Sequence, residues 1–395
     1  MTKQKLLYTY ILAHYNQFRY IFTALDSVIR QDYPEIEIIV IDDGSSDFSK
    51  DEVLDYLNRN KKNNIKSIQV LVNEENVGTV RSLNKALRAA SGEYIQVFAA
   101  DDCLFDDSVA SRFSDEFEKL GGEAQVLCAH AMYMDEDMNT TEEYFCPPRI
   151  HEKFNGMDAI GQFVQLSKKC WFAMGAVCVR AELYKRIGYF SENYKYVEDW
   201  PFFLSVTRSG VKINTVAFKA LEHRAGGIST TVLDPTAPLA IMCLKDVLNA
   251  VETEILPYLK IFPIRAQNDV IDKYYKEYKT LLRIGGQRRK IRWYNFCKYS
   301  YKAVARRFLI GWRNRIKKFS KNSLRLIYMS ALILFVTIWV QNGSSTDASN
   351  GFPWAGAITE IGYWLSSAVL ICAIVFLALN IILWVANRVY RMAKR

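Results

Sequence analysis

The feature that most narrows the fold is a rhythm in the first 110 residues: short apolar runs alternate with helical spacing, and two of the runs stop at paired aspartates. Leu6–Leu12 is an apolar strand by pattern. From Phe18 to Arg30, Ile21, Leu25, Val28 and Ile29 fall on one face of a helix. Ile36–Ile41 is a β-branched run that stops at Asp42-Asp43-Gly44, a strand followed by a turn. Ser49–Asn60 then has helical spacing, Ile68–Val72 reads as a strand, and Val80–Ala90 as a helix closed by Gly92. Tyr94–Phe98 is the next strand and stops at Ala99-Ala100-Asp101-Asp102. Strands separated by helices of this length predict an α/β, Rossmann-like, mostly parallel sheet with helices on both faces. Such sheets bind ligands outside the carboxyl ends of their strands, which is where these acids fall.

From Asp106 to about Ala220 the pattern is mixed. Ser108–Leu120 is helical, and Gln125–His130, Ala173–Arg180 and Lys212–Phe218 read as short strands. Within this half lies a third acidic cluster, Glu198-Asp199-Trp200. Pro235–Gly285 is helical, punctuated by Pro257 and Pro263.

Charge separates the two ends of the chain. The net charge is +9, yet residues 288–325 hold fourteen Lys or Arg and no Asp or Glu, so the remainder is mildly acidic. That distribution argues against a uniformly basic nucleic-acid binder. The basic segment, 287–321, interleaves Trp293, Tyr294, Phe296, Tyr299, Tyr301, Phe308 and Trp312, a composition suited to an anionic membrane surface. Two apolar stretches follow, Leu326–Val340 and Ile361–Ala386, and the connection between them has no Lys or Arg. Basic flanks on both outer sides put both ends in the cytoplasm and the short loop outside. The expected organisation is therefore an α/β domain at 1–232, a helical, basic membrane-interface region at 233–322, and a two-helix transmembrane hairpin with a basic tail at 323–395. Eight cysteines show no Cys-x-x-Cys pair and no zinc spacing, as expected of reduced thiols on the cytosolic side. The start of the chain lacks the pattern of a secretory signal.

The motifs acquire specificity in combination. Leu12-Ala13-His14-Tyr15-Asn16, Ile39-Val40-Ile41-Asp42-Asp43-Gly44-Ser45-Ser46-Asp47, Asn76-Val77-Gly78 with Ser82-Leu83-Asn84, Ala99-Ala100-Asp101-Asp102, and Glu198-Asp199 occur in that order. In order and spacing, over roughly residues 5 to 230, the chain resembles the family-two inverting glycosyltransferases. The resemblance implies the GT-A fold, a nucleotide-diphosphate sugar donor, usually a UDP-sugar, and a divalent metal, Mg²⁺ or Mn²⁺. It places Ala13, Tyr15, Asp42, Asp43, Gly78, Arg81 and Asp101 around the donor, with Tyr15 stacking on the base. It assigns the metal to Asp101 and Asp102, with His223 beside them, and the general base to Asp199 next to Glu198. This chain departs from the family pattern in carrying Ala99 where many relatives have a further Asp, and Ala13-His14 before Tyr15.

The chemistry asks for these residue types. Charge builds on a departing diphosphate, and hard carboxylate oxygens can hold a cation to offset it. An inverting transfer needs one base on the acceptor hydroxyl, and a neighbouring Glu198 would raise the proton affinity of Asp199. Other roles fit the same residues: Arg81 on a helix surface, Trp171 and Trp200 in a core, Asp199 as a helix cap. The expected function is sugar transfer to a lipid-linked saccharide in cell-surface polysaccharide assembly, such as capsule or O-antigen, alongside other glycan-assembly enzymes. Transfer directly to polyprenyl phosphate is the alternative, and a non-catalytic membrane scaffold a more distant one.

Overall fold

The first two strands show why the apolar runs are continuous rather than alternating. β1 (Tyr8–His14) is buried except at Ala13, and β2 (Ile36–Asp42) is buried at every residue. Parallel strands with helices on both faces need apolar side chains in both directions. Each such side chain removed from water contributes about 1.5–3 kcal/mol. The computed structural model describes residues 5–135, 137–225 and 237–284. The chain divides into two units, Met1–Trp293 and Tyr294–Arg395, and every described residue belongs to the first.

β1 pairs in parallel with β2 on one side and with β4 (Tyr94–Ala99) on the other, and β2 pairs with β3 (Ile65–Val72). The chain moves outward through β1, β2 and β3, then returns across the sheet to β4. The carboxyl ends of β1 and β4 therefore flank a topological switch point, where doubly wound sheets hold ligands. Helices α1 (Phe18–Ile29), α2 (Lys50–Asn60) and α3 (Thr79–Ala89) link these strands. Ser49 caps α2 by accepting from Glu52 N–H, the side-chain cap expected of Ser.

Beyond β4 the pairing turns mixed. β4 runs antiparallel to β8 (Val177–Arg180), which runs antiparallel to β6 (Val126–Met134). β6 pairs in parallel with β9 (Ile213–Arg224) and antiparallel with β7 (Thr140–Tyr144). The two-residue β5 (Cys103–Leu104) closes the order by pairing antiparallel with β9. Around this half lie α4 (Val109–Leu120), α5 (Pro148–Asn155), α6 (Ala159–Leu166), α7 (Ala181–Ile187) and α8 (Asp199–Arg208). α9 (Pro238–Ala250) and α10 (Ile264–Ile284) follow.

Some expected boundaries move. The strand expected at Leu6 begins at Tyr8. The run Ala173–Arg180 splits into a 3-10 turn at Met174–Ala176 and then β8. At Gly175 a Cβ would lie 2.6 Å from Leu221 Cδ2, so the backbone passes close to β9 there. The strand expected to stop at Phe218 continues to Arg224, held by β6 and β5. Among the described residues no helix is long and apolar enough to cross a membrane. The basic segment 287–321 and the two apolar stretches, 326–340 and 361–386, lie outside the described residues.

Candidate active site

At the end of β2 the paired aspartates brace loops. Asp42 is buried, and its Oδ1 accepts from His14 Nδ1 at 2.8 Å and Ser45 Oγ at 2.5 Å. Its Oδ2 accepts from the Gly44 and Ser45 N–H groups at 3.0 Å each. His14 Nε2 accepts from Gln17 N–H at 3.2 Å. A backbone N–H can only donate, so the ring proton sits on Nδ1 and faces Asp42. Asp43 takes Val77 N–H, Ser82 Oγ and Asn73 Nδ2 on Oδ1 and Gly78 N–H on Oδ2, at 2.8–3.2 Å. A carboxylate has about four acceptor positions. Asp42 takes two hydrogen bonds on each oxygen, whereas Asp43 takes three on Oδ1 and one on Oδ2, which leaves Oδ2 a position for the nucleoside contact that the resemblance assigns it. Gly44 and Gly78 have φ of 72° and 94°, the left-handed region that favours glycine.

The second acidic pair owes its surroundings to strand register. β5 and β9 pair Cys103 with Glu222 and Leu104 with Leu221. Continuing that register one step sets Asp102 against His223, and a second step sets Asp101 against Arg224. The side chains meet accordingly. His223 Nδ1 lies 3.0 Å from Asp102 Oδ1 and 3.1 Å from Oδ2, and Arg224 N–H donates to Oδ1 at 3.0 Å. Arg224 Nη2 donates to Asp101 Oδ2 at 2.6 Å, and Gln17 Nε2 donates to the same oxygen at 2.8 Å. Asp101 Oδ1 takes no hydrogen bond among the described residues. Burial, and then the neighbouring Asp102 charge, hold Asp101 above the ordinary carboxylate range. Burial pulls His223 down, but the Asp102 carboxylate outweighs it and leaves His223 above its usual value.

The third cluster opens α8. Asp199 is the first helical residue and Glu198 the cap, two and three places before Pro201. Asp199 Oδ1 accepts from Trp200 N–H at 2.6 Å, and Oδ2 accepts from Cys170 Sγ at 3.4 Å. Burial raises Asp199 despite the helix N-terminus, and the charge of His223 acts on it in the opposite sense. The base candidate is thus within electrostatic reach of the Asp102–His223 pair. Burial, and then Asp199, push Glu198 up to about 8, and its carboxylate takes no side-chain hydrogen bond among the described residues. Trp200 is core: its Nε1 donates to Leu166 carbonyl oxygen at 2.7 Å. Trp171 Nε1 is turned to Gln165 carbonyl oxygen at 3.4 Å.

The remaining expected donor residues are distributed around the switch point. Tyr15 is 43% exposed just past β1, beside Asn16 with φ of 51°, and is open for stacking. Ala13 lies between Ile41 and Ala99 in the sheet, its carbonyl accepting from Ala100 N–H. Arg81 sits on the exposed side of α3, 3.7 Å from Glu192. Gln17 and Cys170 had no sequence signal, since a single polar residue in a loop carries no periodicity. Arg224 was visible as a basic residue, but its partner was not.

The donor set fits a divalent cation in part. Asp101 Oδ1 and the Asp102 carboxylate are hard oxygens on adjacent residues, suited to Mg²⁺ or Mn²⁺. His223, expected beside them as a ligand, turns Nδ1 to Asp102 and acts there as a hydrogen-bond partner. Among the described residues no group of three or more His, Cys, Asp or Glu stands ready to hold a metal. Two carboxylates would need diphosphate oxygens and water to complete a coordination shell.

Comparison with known proteins bears on the family. Residues 9–162 match the family model "Glycosyl transferase family 2". An uncharacterized glycosyltransferase of Haemophilus influenzae is 26% identical over 214 residues, 53% of this chain and 62% of that protein. A poly-beta-1,6-N-acetyl-D-glucosamine synthase of Staphylococcus epidermidis is 35% identical over 100 residues, 25% of this chain and 23% of that protein. The match thus reaches less than two thirds of either relative's length. The Escherichia coli UDP-Glc:alpha-D-GlcNAc-diphosphoundecaprenol beta-1,3-glucosyltransferase WfaP is 26% identical over 227 residues, 56% of this chain and 80% of that protein. The similarity to family 2 glycosyltransferases is thus carried by residues 9–162, the part that the family model matches.

Proposed function

We propose that this chain is an inverting glycosyltransferase that moves a sugar from a nucleotide-diphosphate donor, a UDP-sugar first, to a hydroxyl of a lipid-linked saccharide during cell-surface polysaccharide synthesis. The observation that carries the reading is the placement of Asp199: a carboxylate raised by burial, oriented by Trp200 N–H and Cys170, and in electrostatic reach of the Asp102–His223 pair. A carboxylate with raised proton affinity is a better base toward a hydroxyl, provided the pH keeps it ionised. Asp199 takes the acceptor proton as the hydroxyl oxygen attacks the anomeric carbon opposite the diphosphate. The C–O bond to the diphosphate breaks, and the leaving group carries the bonding pair. Asp101 through Oδ1 and Asp102 would hold a divalent cation, which when bound supplies charge stabilisation to that leaving group. Tyr15 offers a face to the base, and Asp42 and Asp43 shape the loops beneath it.

The lipid-linked acceptor is supported by the name of the E. coli relative and by the sequence. Two apolar stretches with basic outer flanks fit a chain anchored in the cell membrane, its transferase domain and both ends on the cytoplasmic side. The test is transfer of labelled sugar from a panel of UDP-sugars, with Mn²⁺, into membrane lipids. Label in a lipid-linked oligosaccharide is the expected result. Label in a single-sugar polyprenyl phosphate would replace the proposed acceptor. No transfer from any donor, with lipid-linked acceptors present, would contradict the transferase reading.

A further inference from the structure

The loop that leads into Glu198 and Asp199 is held from two sides. Residues 190–198 lie between α7 and α8 and belong to neither, so their backbone groups need partners elsewhere. On one side, Asn84 of α3 donates through Nδ2 to Phe190 carbonyl oxygen at 2.8 Å and accepts from Phe190 N–H at 3.0 Å. On the other side stands α9. Asp246 Oδ2 accepts from the Lys195 and Tyr196 N–H groups, at 2.8 Å each. Asn249 Nδ2 donates to Asn193 carbonyl oxygen at 3.2 Å. Thr253, in the π-turn Val251–Ile255 that continues α9, meets the hydroxyl of the buried Tyr194 at 2.7 Å. Spacings of three and four put Asp246, Asn249 and Thr253 on one helix face. Between the two supports the loop crosses Gly78, where a Cβ would lie 2.6 Å from Lys195 Cγ.

We propose that Asp246 is a positioning residue for sugar transfer: from α9 it fixes the chain just before Glu198 and Asp199 and so sets where the base stands. The proposal rests on the reading of Asp199 as the base, and it extends the site to a helix beyond residues 9–162, the part that the family model matches. Asp199 is the first residue of α8. The first turn of a helix has backbone N–H groups without intrahelical partners, so its placement depends on the chain that enters it. Asp246 grips that chain three and four residues before Asp199. The Cys243 thiol, one turn earlier on the same face, is raised by burial, then by the charge of Asp246, and also by that of Glu198; this face of α9 therefore lies against the acidic pair. Two N–H groups converge on one Asp246 oxygen, and an ionised acceptor makes the stronger hydrogen bonds. Asn keeps an oxygen with two acceptor positions, Ala keeps none, and Glu keeps the charge but carries its oxygens one methylene farther. Gly78 N–H has its own acceptor in Asp43 Oδ2 at 2.9 Å, so the donor side does not depend on Asp246.

Two readouts on the full chain in detergent test this: sugar-transfer kinetics with the UDP-sugar that is active in the donor panel, and backbone amide exchange of residues 193–197 followed by mass spectrometry. Asp246→Ala should lower kcat per folded molecule on the order of 10²-fold, the cost of a slightly misplaced group, and leave the donor KM unchanged. Asp246→Asn should restore most of the rate, and Asp246→Glu should stay slow despite its charge. Exchange should quicken in Asp246→Ala and remain slow in Asp246→Asn. Wild-type kcat in Asp246→Ala overturns the proposal and leaves the transferase reading standing. So does a loss in Asp246→Asn as large as in Asp246→Ala, or a loss that lies wholly in the donor KM. Exchange as slow in Asp246→Ala as in the wild type overturns it whether or not any donor is active. A wild type that transfers from no donor removes the base reading and the proposal with it. Should Asp246→Ala not fold, Asp246→Glu carries the test, and wild-type kcat there overturns the proposal.

Discussion

The acids at the end of β2 and those near β9 and α8 look alike in the sequence and differ in what surrounds their oxygens. Asp42 and Asp43 accept four hydrogen bonds each from their own loops and from the start of α3. Among the described residues Asp101 Oδ1 takes no hydrogen bond, Glu198 takes none from a side chain, and Asp199 accepts from Trp200 N–H and the Cys170 thiol. The first group is braced by many protein donors, with Asp43 Oδ2 holding one of them, and the second leaves more of its oxygens open. A strand-end carboxylate is thus a place for a site only when its acceptors are not already filled.

Substitutions can break this division. The largest expected effect is on rate: Asp199→Asn should lower sugar transfer about 10²–10⁴-fold, the usual contribution of a positioned base. Thermal stability should hardly change, because an Asn oxygen can still accept from Trp200 N–H. Next in size is a folding effect. Asp43→Ala strands four donors, two of them the backbone N–H groups of Val77 and Gly78. A loss of about 2–4 kcal/mol is expected in urea unfolding. A stable Asp43→Ala chain with lost transfer would mean that Asp43 serves the substrate after all.

A third expectation concerns a place remote from the acids. His130 on β6 and His151 on α5 stack at 4.3 Å, both buried, and among the described residues the Nδ1 of each has no hydrogen-bond partner. Burial lowers both, His151 to about 3. Both are therefore neutral in the folded state while the unfolded chain takes protons below about 6.5. Stability should fall as pH drops from about 6.5 toward 3, by up to about 1.4 kcal/mol per pH unit for His151. A His151→Phe chain that loses as much stability over the same range would contradict this. The smallest effect should come from Cys170. Ser is the stronger donor to Asp199 Oδ2, and a hydrogen bond to the ionised form lowers its pKa. Cys170→Ser should move the acid limb of the pH–rate profile down by about half a unit, and Cys170→Ala should move it up. Identical profiles would remove the thiol from the account.

Much of the parallel half was legible. Ile36–Ile41 and Tyr94–Phe98 are apolar runs of strand length between amphipathic stretches, and periodicity reports such elements directly. The acids at their ends were visible for the same reason. What lay beyond reach was set by long-range register. The two-residue β5 has no pattern of its own, and Lys219, Glu222, His223 and Arg224 made the end of β9 look like a loop. Their pairing brings residues 121 to 123 positions apart into contact. Nor does the Asp-Asp-Gly motif show that Val77 and Gly78 donate to Asp43, since that depends on the path of the loop before α3.

The most direct test of the division is a paired one: Asp43→Asn and Asp199→Asn, prepared alike, with melting midpoint and sugar transfer read on the same samples. The account predicts a lowered midpoint for Asp43→Asn, with transfer retained per folded molecule, and an unchanged midpoint with transfer abolished for Asp199→Asn. Full transfer by a folded Asp199→Asn chain would contradict it.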